Sequence, residues 1–328
     1  MSKRTERWNL STNKNKNEGL SIIVPFLNEE DGIELFCSTL DDYSKQLTFP
    51  LELVFVDDGS SDSTVELLKK YRFKNIGRAQ LVQFSRNFGS HAAIRAGLQY
   101  AYYPNCTWLG SDLQEPLELL QQSYDLISEG YDAVYVSKKS IVVSRANRAF
   151  SKIYSRLMQK YAVSNYTSDG VSTIVFNSKI KDYINSNVEG NSSIMLQIID
   201  AGFKTANIEL DFHERSAGKS KWTLSKKIKL MIDSFVSFSF APIRLVSIVG
   251  IIMFLIGLII GVVTIINKII NFDSPAGYAT LASMIALGFG ITNISLGIIA
   301  EYLWRAFDAA RGRQVFIVSE RSDLIRRN

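Results

Sequence analysis

The sequence predicts an α/β fold: a mostly parallel sheet with helices on both faces, followed by an amphipathic helix in a membrane interface and two transmembrane helices. Three observations carry this. Short β-branched runs alternate with helical-period stretches as far as Leu109, the pattern of a sheet wrapped by helices. Each early run ends in a polar cluster. After residue 245 come two long stretches without a charged residue.

The elements follow in order. Residues 1–18 are rich in Asn, Lys and Thr, lack the apolar core of a signal peptide and read as a flexible tail. Residues 20–24 form a first strand that Pro25 and Asn28 end. Ile33, Phe36, Leu40, Tyr43 and Leu47 then lie on one helical stripe. Residues 51–56 make a second, buried strand closing on Asp57, Asp58, Gly59 and Ser60. A helix follows with Asp62 or Ser63 at its cap and Val65, Leu68 and Tyr71 inward. A third strand spans 80–84, a third helix 90–103 and a fourth strand 107–109. Beyond Glu118, residues 132–136 and 171–176 read as strands, and residues 145–158 and 192–201 as helices.

In residues 224–240, Leu224, Ile228, Met231, Phe235 and Phe238 share one helical face, with Lys226, Lys227 and Lys229 on others. Such a basic amphipathic helix suits a membrane interface; docking on the domain's own core is the alternative. Residues 246–266 and 279–300 carry no charge, and each is long enough to cross a hydrocarbon core of about 30 Å. Lys226, Lys227, Lys229 and Arg244 precede the first stretch, and Arg305, Arg311 and Arg313 follow the second. This bias places the N-terminal α/β domain and both termini in the cytoplasm, the short loop outside, and the protein in the cell membrane as a multi-pass chain. The domain plan is thus a tail (1–18), an α/β domain (19–222), a juxtamembrane helix (223–244), two spans (245–300) and a cytoplasmic tail (301–328).

Composition narrows the partners. Mean hydropathy is +0.04, high for a soluble enzyme, and the excess lies after residue 245. The net charge of +5 suits an anionic membrane or phosphorylated ligands. The first half has no basic stripe interleaved with aromatics, so nucleic acid is not expected. Cys37 and Cys106 have no metal-ligand spacing and fit a reducing compartment. No G-x-G-x-x-G follows the first strand, which argues against a dinucleotide-dependent redox enzyme.

In parallel α/β sheets ligands bind beyond the carboxyl ends of the strands. Asn28-Glu29, Asp57-Asp58, Ser85-Arg86-Asn87 and Ser111-Asp112 all follow strands and converge on one edge. Asp57 suits a base or ribose contact, though Asp-Gly also makes an ordinary turn. Asp112 and Gln114 could hold Mg²⁺ against a diphosphate, or Asp112 could cap the helix starting near Pro116. Asp169 sits in a Ser/Gly loop and reads either as a turn residue or as a carboxylate that orients an acceptor. Arg215, Lys219 and Lys221 crowd a loop around Gly218, suited to two phosphates or to anionic headgroups.

The motifs P-x-x-N-E (Pro25 to Glu29), V-D-D-G-S (Val56 to Ser60), F-S-R-N-F-G (Phe84 to Gly89), D-L-Q-E-P (Asp112 to Pro116) and R-S-A-G-K-S-K (Arg215 to Lys221), in this order, resemble family 2 glycosyltransferases of the GT-A, Rossmann-like fold. The nearest branch is similar to bactoprenol glucosyltransferase and dolichol-phosphate mannose synthase. The resemblance covers about residues 19–318. It implies that Pro25, Glu29 and Asp57 line the nucleotide pocket, with Arg86 and Ser111 in the same strand-end clusters. Asp112 and Gln114 would bind Mg²⁺ or Mn²⁺, Asp169 would stand at the position of the proposed base, and Arg215 and Lys221 would hold phosphates. The implied reaction is inverting transfer of a hexose from a nucleotide-sugar, UDP-glucose or another UDP-hexose, to polyprenyl (undecaprenyl) phosphate at the cytoplasmic membrane face, for glycosylation of a surface polymer. Three positions depart from the pattern. Gly110 stands where the family has the first Asp of D-A-D, Leu27 where it often has Tyr, and Gly170-Val171 where it often has Phe-Arg. The departures motivate the alternative of a non-catalytic membrane subunit that keeps the fold. Gly257 and Gly261, in G-x-x-x-G spacing, suit helix packing and leave a homo-oligomer open.

Overall fold

The computed structural model describes residues 18–139, 155–156, 158–160, 163, 171–188, 193–212, 241–270 and 277–325. The chain divides into two compact units. One comprises residues 1–149, 167–221 and 314–328; the other, residues 150–166 and 222–313.

The first unit is built on an eight-stranded sheet. Its strands are β1 (Leu20–Phe26), β2 (Leu51–Asp57), β3 (Arg78–Phe84), β4 (Asn105–Trp108), β5 (Ala133–Lys138), β6 (Thr173–Phe176), β7 (Thr205–Leu210) and β8 (Val318–Asp323), in spatial order β7-β5-β6-β4-β1-β2-β3-β8. The centre β4-β1-β2-β3 is parallel, as expected. The flanks are mixed: β6 runs antiparallel to β4 and β5, β8 runs antiparallel to β3, and β7 runs parallel to β5.

The described helices of this unit are α1 (Ile33–Tyr43), α2 (Thr64–Lys70), α3 (Ser90–Tyr100), α4 (Glu118–Ser128), α5 (Ser178–Ser186) and α6 (Ile194–Asp200). Burial on both faces explains the continuous apolar character of β1 and β2. Leu20, Ile22, Val24, Leu53 and Phe55 pack with Ile33, Phe36 and Leu40 of α1, Leu68 of α2 and Leu119 and Leu120 of α4. Ile23, on the other face, meets α3 at Gly97, where a Cβ would have no room. That glycine is what lets α3 lie close on the sheet.

A polar knot holds the edge opposite the strand-end clusters. Buried Glu52 accepts hydrogen bonds from Ser21 Oγ (2.6 Å), Gln80 Nε2 (3.0 Å) and the Tyr102 N–H (2.6 Å), and Arg78 lies 3.5 Å away. Both cysteines are free and buried, and burial pushes each thiol up to about 12, so neither is a ready nucleophile.

The structure departs from the sequence reading in several elements. Helix α3 ends at Tyr100, because Ala101 turns to an extended backbone. Strand β7 and helix α5 were not foreseen. The C-terminal segment expected as a tail supplies β8, an edge strand whose Arg321 donates to Gln80 Oε1 (3.0 Å) and whose Glu320 pairs with Lys69 (3.1 Å). The expected helix over 145–158 and the amphipathic segment 224–240 lie almost wholly outside the described residues.

In the second unit, α7 (Ala241–Ile270, 30 residues) and α8 (Tyr278–Arg311, 34 residues) pack on one another. Among the described residues, no helix is long and apolar enough to cross a membrane. The full sequence does supply an unbroken uncharged run, residues 246–266, and it lies wholly inside the backbone of α7. Outward-facing side chains on the pair are large and apolar, with Ile251 and Ile259 each 60% and Phe289 71% exposed. Thr292 and Ser295 turn their hydroxyls back onto the carbonyls of Gly288 and Ile291, both at 2.8 Å, which satisfies them within the helix.

Candidate functional site

The register of β1, β2 and β3 puts Phe26, Asp57 and Gln83 side by side, so the loops after these strands leave the sheet together. Hydrogen bonds stitch the first two. The Asn28 N–H donates to Ser60 Oγ (2.9 Å), and Asn28 Oδ1 accepts from the Ser61 N–H (2.8 Å). Glu29 N–H donates to Thr64 Oγ1 (2.9 Å), and Glu30 Oε2 accepts from the Ser63 N–H (3.0 Å). Asn28 holds φ 54, a left-handed backbone that Asn tolerates better than most residues. On the β4 side, a Cβ on Gly32 would come 4.0 Å from the Ser111 carbonyl oxygen. The loops carrying Asn28-Glu29, Asp57-Asp58, Ser85-Arg86-Asn87 and Ser111-Asp112 therefore leave one edge of the sheet, as expected; Pro25 lies one residue inside the end of β1.

The two adjacent aspartates do different work. Asp57 Oδ1 accepts from the Ser60 N–H (2.8 Å), shaping the turn in which Gly59 takes φ 84. Asp58 reaches across to the next loop, where its Oδ1 accepts from the Phe88 N–H (2.6 Å) and its Oδ2 from the Gly89 N–H (2.9 Å). Burial raises the Asp58 pKa, the neighbouring Asp57 adds to the rise, and the two N–H groups oppose it. A Cβ on Gly59 would lie 2.9 Å from the Arg86 carbonyl carbon, so the β2 and β3 loops are in close contact. Sequence reasoning did not give Asp58 this tethering role.

Arg86 is exposed. Its guanidinium lies 4.2 Å from the Phe88 ring centroid, Phe88 packs edge-on against Phe84, and Phe316 stacks on Phe84 at 5.3 Å. The Ser85 N–H donates to the Ile317 carbonyl (3.1 Å). The C-terminal segment thus helps to place the loop that carries Arg86.

The β4 loop is the most unusual stretch. Leu113 adopts φ 53, a conformation that costs a non-glycine residue on the order of 1–3 kcal/mol and that clusters at functional sites. Asp112 precedes it and Gln114 follows it. A third oxygen-bearing side chain, Glu115, lies beside Asp112. Burial first, and then the Asp112 charge, pushes its carboxyl up to about 7 against the N–H groups of Glu115 and Gly110 and the Lys138 charge. Lys138, at the end of β5, is a further site-edge cation that sequence reasoning passed over. Its Nζ lies 4.8 Å from the Phe212 ring centroid.

Among the described residues no group of three or more His, Cys, Asp or Glu is placed so that it could hold a metal ion. Asp112 with Gln114 still fits the habit of Mg²⁺, which takes one or two protein carboxylates and completes its shell with phosphate and water. Asp169, Arg215 and Lys221, expected to act on the acceptor and the phosphates, lie outside the described residues.

A family model described as Glycosyl transferase family 2 matches residues 21–193, and one described as GtrB C-terminal hairpin matches residues 241–305. The uncharacterized glycosyltransferase YkcC of Bacillus subtilis is 31% identical over 305 residues, covering 92% of this chain and 93% of its own. The putative glycosyltransferase CsbB of the same organism is 30% identical, covering 92% and 91%. The undecaprenyl-phosphate 4-deoxy-4-formamido-L-arabinose transferase of Photorhabdus laumondii is 27% identical, covering 92% and 93%.

Proposed function

The chain belongs to glycosyl transferase family 2 and is a glycosyltransferase, and on that premise we propose that it moves a hexose from a UDP-hexose, such as UDP-glucose, to undecaprenyl phosphate at the cytoplasmic face of a membrane. The observation that carries this is the joining, in one chain, of a strand-end site with a C-terminal helix pair, α7 and α8, over which the sequence holds two long uncharged runs. The hairpin matches the GtrB C-terminal family, and a relative aligned over 92% of the chain is named for undecaprenyl-phosphate sugar transfer.

A lipid acceptor explains the hairpin. In the sequence, the uncharged run at residues 246–266 would, as a helix rising about 1.5 Å per residue, match a hydrocarbon core of about 30 Å. Its exposed Ile and Val side chains would be costly in water over so wide a surface. The arginines after the second apolar stretch support the cytoplasmic orientation.

At the sheet edge, Asp57 and Glu29 face the nucleotide, and the tethered β3 loop presents Arg86 to its phosphates. Asp112 and Gln114 would hold a divalent cation, Mg²⁺ or Mn²⁺, which neutralises charge on the departing diphosphate when bound. The acceptor phosphate is already ionised at neutral pH, so an oxygen of it attacks the anomeric carbon with inversion. Asp169 orients that oxygen, and Arg215 and Lys221 hold the two phosphate groups. The product would feed glycosylation of a surface polymer.

The test is transfer of radiolabelled sugar to undecaprenyl phosphate by the purified full-length chain, with a panel of UDP- and GDP-sugars, either cation, and EDTA as control. One labelled lipid, lost with EDTA and lost again in Asp112→Asn, is the expected result. No transfer from any donor by folded protein overturns the proposal.

A further inference from the structure

The β4 loop holds a carboxylate to which the sequence reading gave no role, Glu115. Gly110 has no side chain, and the space before it is occupied. A Cβ there would lie 2.8 Å from Asp112 Oδ1 and 3.7 Å from Glu115 Oε2. Two carboxylates therefore approach the backbone position at which the chain carries none. Residue Glu115 as a whole is partly exposed; the N–H groups of Glu115 and Gly110 reach its carboxyl, but its Oε2 is closed to solvent and has no hydrogen-bond partner. The nearby Lys138 does not supply one; its ammonium lies over the Phe212 ring. An acceptor oxygen buried without a donor is costly, and more so beside a second carboxylate. A divalent cation beside Asp112 would satisfy that Glu115 oxygen.

We propose that Glu115 is a second carboxylate ligand of the divalent cation, supplying beside Asp112 the acidic group that Gly110 lacks. The inference rests on the reading of Asp112 as a metal ligand. The resulting set is two carboxylates and the Gln114 amide from the protein, completed by diphosphate oxygens. It also gives the strained Leu113 a purpose. A reversal at that residue lets side chains from both sides of it serve one ion.

The experiment measures Mn²⁺ binding by electron paramagnetic resonance, on the full-length protein in detergent with UDP present. Thermal unfolding is recorded with Mn²⁺ and with EDTA. Wild type, Asp112→Asn, Glu115→Gln and Glu115→Asp are compared. Glu115→Gln is expected to weaken Mn²⁺ by about tenfold or more and to lose most of the Mn²⁺-induced rise in unfolding temperature. In EDTA it should unfold as wild type does, because the amide keeps the size and shape of the carboxyl. Glu115→Asp, which keeps the charge on a shorter arm, should fall between the two. If Asp112→Asn loses Mn²⁺ while both Glu115 variants bind it as wild type does, the second ligand is refuted and the Asp112 reading stands. If every variant binds as wild type does, the Asp112 reading falls as well.

Discussion

Asp58 offers the most direct test of how the site is held. Its carboxylate, 5% exposed, accepts from two backbone donors: the Phe88 N–H at 2.6 Å and the Gly89 N–H at 2.9 and 3.1 Å. Asparagine in its place keeps one acceptor oxygen and turns an NH₂ toward an N–H, so one buried donor loses its partner. That costs about 1–3 kcal/mol, and alanine, which strands both donors, about twice as much. Part is returned. The Asp58 pKa is raised by burial and by Asp57, so its ionised form is itself a burden on the native state, and neutralising it offsets some of the loss. The net expectation is about 1–2 kcal/mol for Asp58→Asn and about 2–4 kcal/mol for Asp58→Ala. In a chain of this size that is a drop of several degrees in unfolding temperature. Because Gly59 and Arg86 are in close contact, the freed loop should also weaken UDP binding. Thermal unfolding of the full-length protein, with and without UDP, reads both effects. An alanine variant that unfolds within a degree of wild type and binds UDP equally well would refute the tether.

Two further outcomes follow from the same contacts. Burial pushes the Asp41 carboxyl upward, but the N–H groups of Lys74, Asn75 and Ile76, at 2.9–3.0 Å, outweigh it and leave the pKa below the ordinary value. The unfolded chain therefore binds the proton first, so this stabilisation is complete above about pH 5 and is lost as pH falls below about 4. Asp41→Asn should flatten the acid limb of the stability profile and cost about 1–3 kcal/mol at neutral pH, measured by urea unfolding across pH. Phe316→Ala removes the ring stacked on Phe84. It should lower UDP affinity through the Arg86 loop while leaving unfolding within about 2 kcal/mol of wild type, since Phe316 is partly exposed. Calorimetric titration of UDP checks it.

The parallel centre of the sheet was legible because β1 and β2 are buried on both faces and so read as uninterrupted apolar runs between turn residues. The flanks were not. β7 is half-exposed and reads Thr-Ala-Asn-Ile-Glu-Leu, and β8 reads Val-Ser-Glu-Arg-Ser-Asp. Neither has the apolar signature of a strand. β8 is extended because β3 offers it an unpaired edge, a tertiary cause that no local pattern records.

The site divides the same way. That polar residues gather at one edge follows from strand order, and strand order follows from hydrophobic periodicity, so Asp57, Arg86 and Asp112 could be placed together from the sequence. What each oxygen does depends on which neighbour reaches it. Asp57 and Asp58 are chemically identical in V-D-D-G-S, yet one shapes its own turn and the other is spent on the Phe88–Gly89 backbone. A missing Asp at Gly110 read as a lost carboxylate, because the eye compares like positions. The fold compares positions in space, and there Glu115 stands 3.7 Å from where that side chain would begin. A departure from a motif is therefore weak evidence of lost chemistry until the atoms around the gap have been counted.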